Sequence, residues 1–430
     1  MNRMNLLITL AIPVLLCQNT QAQSRLTAIA NWTHNGAEFK RHDSTAYDYL
    51  STARGGDLNS ILKFDDATNW SYVLGDTANN NTRSVQTFDA TNNLLTTVTQ
   101  NWDAAVTMSW INQFKYVYFY NTSNKKTSMV TQHWDGTSAW ITDSKDVYSY
   151  NAAGQLYLDQ FQLWDGVSTY NPSTQKTYYF DATGNLINET DVLFVAGTPT
   201  FTSDTDYTYN SSNKLLTKTG NTWSGAAWIN AVRWTNFYDT STGNCINQLN
   251  ETYNGTAFVN NTQKVFSNFN TNHMAQTEID QTWNPAGSGS WVDNFQYTYT
   301  YNGFNQLTSS TQQSNDISIG WTFASGDLKS VYYYGSYITA VNNVSNIGGD
   351  ASIYPIPAQN TLNIDLKWNM AQTATVAICD MQGKVVDQWS TPSSTQNHHS
   401  LNISNYADGI YVVKVIGAQG QIVKQIVVAH

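Results

Sequence analysis

The chain has 430 residues and a formal net charge of -10, and only 12% of its residues are charged where soluble domains carry about 25%. Aromatic residues reach 13%, while glutamate occurs only at Glu38, Glu189, Glu251 and Glu278. The acidic balance excludes a phosphate-binding surface, which needs clustered Lys and Arg, so no nucleic-acid partner is expected. A chain poor in helix formers and rich in Thr, Tyr, Trp, Phe and Val is expected to be all-β.

Residues 1–22 open with Arg3, continue through an apolar run from Leu6 to Cys17, and end on the small-residue site Thr20-Gln21-Ala22. This pattern predicts a secretory signal peptide cleaved before Gln23. The run falls short of the roughly 20 apolar residues a membrane span requires, and Pro13 interrupts it. No later segment is long or apolar enough to span as a helix. Cys245 and Cys379 fall in different predicted domains and read as two buried free thiols.

From Trp32 onward an aromatic residue precedes a small polar turn at Trp32, Phe64, Trp102, Trp134, Trp164, Phe194, Trp223, Tyr253 and Trp283. From Phe64 the spacings are 38, 32, 30, 30, 29, 30 and 30 residues. A second aromatic follows shortly after, as in Trp110, Trp140, Tyr170, Phe201, Trp228, Phe258 and Trp291, with pairs such as Asp135-Gly136 and Asn254-Gly255 between the two. Such Asx-Gly pairs between apolar runs predict hairpin tips. A second signature comes about ten residues later. Tyr148-Ser-Tyr150-Asn151-Ala-Ala-Gly154-Gln-Leu156 and Tyr207-Thr-Tyr209-Asn210-Ser-Ser-Asn213-Lys-Leu215 are two copies of it. Gly or Asn at the fourth position after the aromatic suits a turn closed at positive φ. Each period is therefore one β-hairpin, and nine units with a degenerate tenth give close to twenty strands.

Trp140 and Tyr150 are ten residues apart, and Leu156 and Trp164 are eight apart. Even offsets place both members on one face of a strand, predicting one aromatic ladder along a long antiparallel meander. A sheet of that width must curl, split or close. The Tyr-x-Tyr-Asn/Asp-x-x-Gly-x-Leu element resembles tyrosine–aspartate (YD, or Rhs-type) repeats, which implies a curved or spiral sheet over roughly Trp32 to Tyr334.

After Tyr337 a Gly- and Asn-containing stretch reads as a linker, and short alternating apolar runs then predict a small immunoglobulin-like β-sandwich. Tyr354-Pro355-Ile356-Pro357-Ala358, Met381-Gln-Gly383-Lys-Val-Val386, Leu401-Asn-Ile-Ser with Gly409-Ile-Tyr411, and a terminal strand bearing Lys424 occur in that order. This ordered set resembles the C-terminal sorting domain of the type IX secretion system of Bacteroidetes. Ile356 departs from the usual residue of that pattern, and the end Val-Ala-His430 is not basic. The resemblance implies the type IX machinery as a partner, and a mature protein on the outer-membrane surface or released. The expected organisation is a signal peptide at 1–22, a hairpin-repeat domain at 23–340, a linker at 341–352 and a sorting domain at 353–430.

No chemistry-bearing constellation is evident. The histidines show no zinc-type spacing, and His398-His399 reads as part of a polar loop. The four glutamates fall at different phases of the repeat, and most aspartates sit in turns, so no facing pair of carboxylates is expected. Neither a catalytic residue nor a metal or cofactor site is assigned, and a non-enzymatic surface protein, structural or adhesive, is the leading expectation. Trp and Tyr also stack on sugar rings, which keeps a glycan-binding module as the alternative, with a secreted glycan-degrading enzyme as a remote third reading. Trp234, outside the repeat consensus, is the candidate binding residue; the partners would be surface glycans or other surface proteins.

Overall fold

The computed structural model describes residues 25–49, 62–73, 77–105, 107–335, 349–380, 384–417 and 420–430. The predicted signal peptide and most of the predicted linker lie outside them. Every regular element among the described residues is a β-strand. Strands of mostly 8 to 12 residues run up and down through a single 21-stranded antiparallel sheet. The first strand, Arg25–His34, pairs with the second, Phe39–Asp48, and also with the last, Leu328–Gly335. That second pairing closes the meander into a ring, with the three-residue strand Gly320–Thr322 as a flank on Leu307–Asp316. Closure removes the unpaired edges that an open sheet of this width would offer to other chains.

The two turn types fall where the residue types demand. At the tips, Gly136, Gly166 and Gly255 hold φ of 85°, 84° and 98°. At the other end Gly154 and Gly184 alternate with Asn92, Asn124, Asn213 and Asn305 at φ near +60°, and His273 takes the same conformation. At the tip after Trp134, the Asp135 carboxylate accepts the backbone N–H of Thr137, Ser138 and Ala139 at 2.7, 2.8 and 3.1 Å. Such bonds to the ionised form hold the carboxyls of Asp135 and Asp165, and those of Asp181 and Asp239 at the opposite rim, down to about 2. Their unfolded value is about 3.9. The turn-capping contribution is therefore complete above about pH 4 and disappears as pH falls through about 2. Carboxyl-carbon NMR titration of the folded chain should place these midpoints near 2; midpoints near 4 would refute the capping.

The aromatics do not form one ladder. In the pair Lys126–Trp134 and Trp140–Tyr150, Trp134 faces Trp140 and Gln132 faces Thr142, but Thr131 faces Ser144. Asp143 is thus skipped, and because Thr131 and Gln132 point to opposite faces, so do Thr142 and Ser144. Equivalent shifts recur between Thr99/Gln100, Asp191/Val192, Gly220/Asn221, Asn250/Glu251 and Asp280/Gln281. A further bulge beside the other turn skips Tyr157, so Leu156 and Trp164 also part company. The bulges therefore overturn the even-offset expectation. Tip aromatics occupy one face and the Tyr-x-Tyr rows the other.

On the tip face Trp102/Trp110, Trp134/Trp140, Trp223/Trp228 and Trp283/Trp291 meet edge to face at 5.0 to 5.2 Å. These rings are half-buried rather than core. Two assignments of the repeat phase fail. Phe194 pairs with Pro199 across a tight Ala196-Gly197 turn, leaving Phe201 to pack on Trp223 and Trp228. Phe64 packs on Tyr47 instead of marking a tip.

On the opposite face the second aromatic of five signatures is a tyrosine with a specific task. The hydroxyls of Tyr120, Tyr150, Tyr209, Tyr238 and Tyr301 donate to the carbonyls of Leu94, Lys126, Leu186, Leu215 and Ala275 at 2.7 to 3.0 Å. At five of the positive-φ positions the following residue reaches the next turn. Asn93 bonds Asn124, Lys125 the Gly154 carbonyl, Gln155 the Gly184 carbonyl, Asn185 Asn213, and Lys214 the Gly243 carbonyl. One rim is thereby laced from unit to unit by side chains.

Candidate functional site

The C-terminal unit has five strands: Gly349–Tyr354, Thr361–Asp380, Val385–Asn402, Gly409–Gly417 and Gly420–Val428. The first begins at Gly349, so the end of the predicted linker 341–352 is strand. The two long strands bend where their ladder is interrupted between Lys367 and Ala374, and each contributes to both layers. Leu362, Ile364 and Leu366 from one half and Val376, Ile378, Val413, Val415, Ile426 and Val428 from the other share one fully buried cluster. Strict alternation of apolar and polar residues along these strands produces this core. His398 and His399 lie in the strand Val385–Asn402 rather than in a loop, because that strand is longer than its apolar pattern. His398 bonds Asp365 at 2.6 Å, and His399 stacks on Trp389 at 4.3 Å.

The expected motif residues are brought together in part. Pro355, Pro357 and Ala358 are buried, and Tyr354-Pro355 and Ile356-Pro357 are cis. Ala358 N–H donates to the Val427 carbonyl at 2.7 Å, and Ala429 N–H donates to the Ala358 carbonyl at 2.8 Å. The motif segment is thus bonded to the end of the last strand. Tyr411 is buried and its hydroxyl donates to the Ala407 carbonyl at 3.0 Å. Gly409 opens its strand, and Gly383 lies outside the described residues.

This assembled motif sits on the ring. Arg41, 2% exposed, donates from Nη1 to the Pro357 carbonyl at 2.6 Å and from Nη2 to the Ala429 carbonyl at 2.9 Å. Its guanidinium lies 5.0 Å from the Trp32 ring and 5.4 Å from the Tyr72 ring. The Tyr72 hydroxyl adds a bond to the Pro357 carbonyl at 3.2 Å. Ala28 and Trp70 of the ring belong to the same buried cluster as the sandwich core. Lys424 pairs with Asp48 at 3.1 Å. Burial alone would lower the Lys424 ammonium, but Asp48, with Asp350 and Asp66 beyond it, holds it above its ordinary value. Lys424 was visible in sequence as a motif residue. Arg41 was not, although it shares a face with the apolar run Ala28-Ala30-Trp32, where a cation calls for a partner.

Trp234 lies on the tyrosine face, opposite the consensus tryptophans, with Lys218 5.5 Å from its ring. Lys176 stands 3.6 Å from Glu189 and 3.5 Å from Asp191, in an open cleft of about 490 Å³ that Asp159 and Tyr178 also line. Burial raises the Asp159 carboxyl, while Lys126 and Lys176 offset the rise. No group of three or more His, Cys, Asp or Glu suited to a metal occurs among the described residues. Cys245 and Cys379 are unpaired and half-buried, less enclosed than expected.

The C-terminal unit is thus a bent five-stranded sandwich whose last strand is bonded to its own Tyr-Pro-x-Pro-Ala segment. Residues 352–429 match the family model described as the secretion system C-terminal sorting domain, and this segment is a type IX sorting domain. The protein is accordingly directed by the type IX system to the exterior or to the outer-membrane surface. A search of curated proteins finds no match. Among solved structures, a protein of unknown function from Bacteroides fragilis is 18% identical with a TM-score of 0.26, over 29% of this chain and 89% of that one. A porin-like protein from Bacteroides uniformis is 11% identical with a TM-score of 0.31, over 72% of this chain and 98% of that one. TcdB2-TccC3-TEV is 10% identical with a TM-score of 0.33, over 91% of this chain and 21% of that one. None of these superpositions is close enough to carry function across.

Proposed function

We propose that the ring is a structural or adhesive element of the cell surface, without enzymatic activity, delivered there by the sorting domain. The observation that supports this reading is the equivalence of the units. Tip pair, bulge, tyrosine clamp and turn-to-turn bond each recur in several hairpins, whereas a catalytic site needs one distinctive copy. At the open cleft Glu189 and Asp191 stand beside Lys176, and Asp159 feels both Lys126 and Lys176, which speaks against a carboxylate pair flanking an open position. Beads coated with the purified ring should bind cells or ring-coated surfaces in a saturable way. Beads that bind no better than an albumin control would remove the adhesive role.

The second reading, a glycan-binding module, is favoured by Trp234, which departs from the repeat consensus and stands beside Lys218 and across from Asn250. A glycan array separates the two. Under the structural reading no glycan binds saturably, and Trp234→Ala changes only stability, by about 1–2 kcal/mol for a half-buried aromatic. Saturable binding that Trp234→Ala abolishes without a change in melting would establish the second reading instead.

A further inference from the structure

We infer that the first three strands of the ring form a receptor for the chain's own sorting domain, so that the two units remain joined without covalent linkage once the segment between them is cut. The occupant is the Tyr354–Ala358 segment together with the end of the strand Gly420–Val428. The receptor is the face presenting Ala28, Trp32, Arg41, Trp70 and Tyr72, with Asp48 at its margin.

A sorting domain carried on a free tether would leave Arg41 in water. Instead the guanidinium is almost wholly enclosed between two aromatic faces, with two N–H groups aimed at two carbonyls. A buried cation is tolerated only when paired, and here the acceptors come from the other unit. Among the described residues Arg41 Nε has no hydrogen-bond partner, so the guanidinium itself is held by those two carbonyls and the aromatic rings. The fit is close elsewhere too: a Cβ on Gly335 of the ring would lie 2.9 Å from the Gln425 side chain.

The carbonyls that Arg41 reads belong to Pro357 of the signature segment and to Ala429, which is itself bonded to Ala358. Docking therefore covers the part of the sorting domain that its sequence pattern marks. Any partner that reads this segment must compete with Arg41 for it. The interface is also suited to reversible opening. The released guanidinium can again be solvated by water, and the Lys424–Asp48 pair at the margin weakens with salt.

The test uses the mature full-length chain with a site-specific protease sequence inserted after Val341. After cutting, the two fragments should co-elute on size exclusion at low-micromolar concentration and bind a few fold more weakly at high salt. Arg41→Met, which keeps the volume and removes the donors, should weaken the cut complex by about tenfold or more. Arg41→Lys should fall between, since one ammonium cannot span both carbonyls with the fork geometry of arginine. Asp48→Asn, at a half-exposed position, keeps the test open where the Arg41 variants fold poorly. It should weaken the complex by a few fold and flatten its salt dependence. Wild-type fragments that separate at low salt would overturn the inference. So would an Arg41→Met complex as tight as the wild type, or Asp48→Asn fragments whose affinity and salt response are unchanged.

Discussion

A chain ending before Ser352 should not reach the cell surface at all and should accumulate in the periplasm, whereas the full chain is displayed or released. The deletion removes the whole sandwich and also uncovers the Arg41 face of the ring, so two effects are mixed in it. Ile378→Asp asks whether the folded sandwich, and not just the presence of its residues, is what export requires. Ile378 is fully buried in the sandwich core, and an unpaired carboxylate there costs several kilocalories per mole, a large part of the 5–15 kcal/mol that holds a typical domain. The sandwich should unfold while the ring, which supplies its own pairing, persists. Both changes should abolish surface display, as read by fractionation and by protease shaving of intact cells. Display at wild-type level in either variant would contradict the role of this domain in export.

Deleting Asp143 is expected to be the most damaging single-residue change in the ring, although the side chain itself is dispensable. Without the bulge, the strand Trp140–Tyr150 can keep only one of its two halves in register. If the Tyr150 half holds, Trp140 turns to the tyrosine face and the Trp134 pair is lost, about 0.5–1.5 kcal/mol. If the Trp140 half holds, Tyr148 and Tyr150 change faces and the Tyr150 bond to the Lys126 carbonyl is lost, about 1 kcal/mol. Half-buried apolar surface is exposed in either case, and the total should reach about 2–4 kcal/mol. Asp143→Ala keeps the bulge and removes only the partly exposed His133 contact, so it should cost about 1 kcal/mol or less. Chemical denaturation of both variants, with the tryptophan exciton signal in circular dichroism, distinguishes them. Equal losses would show that the bulge does not set the facing.

The same bulges mark the limit of what the sequence discloses. Strand positions were legible because Gly and Asn at positive φ punctuate the chain, and the meander follows from its thirty-residue period. The faces were not legible. The residues skipped on the tip side of the described strands are His42, Asn81, Gln113, Asp143, Ser173, Thr202, Ala231, Asn261 and Asn294, which share no chemistry that marks a bulge. Ring closure was hidden for a related reason: the pairing of Arg25–His34 with Leu328–Gly335 joins segments some 300 residues apart, and nothing local encodes it. The sorting motif was readable because its order and spacing are specific. Its seat was not, since Arg41 acts through two backbone carbonyls that carry no residue signature.

Closure also fixes how many repeats this protein can hold. An open stack of repeats can gain or lose a unit at either end, each addition meeting the same neighbour as before. Here an added hairpin would widen the circumference by two strand spacings, about 4.8 Å each, and every existing strand would have to adjust its tilt. The seam between Arg25–His34 and Leu328–Gly335 would move as well, and with it the strands that seat the sorting domain. Length variation by duplication, the usual route by which repeat proteins diversify, is therefore closed to this chain unless whole rings change together.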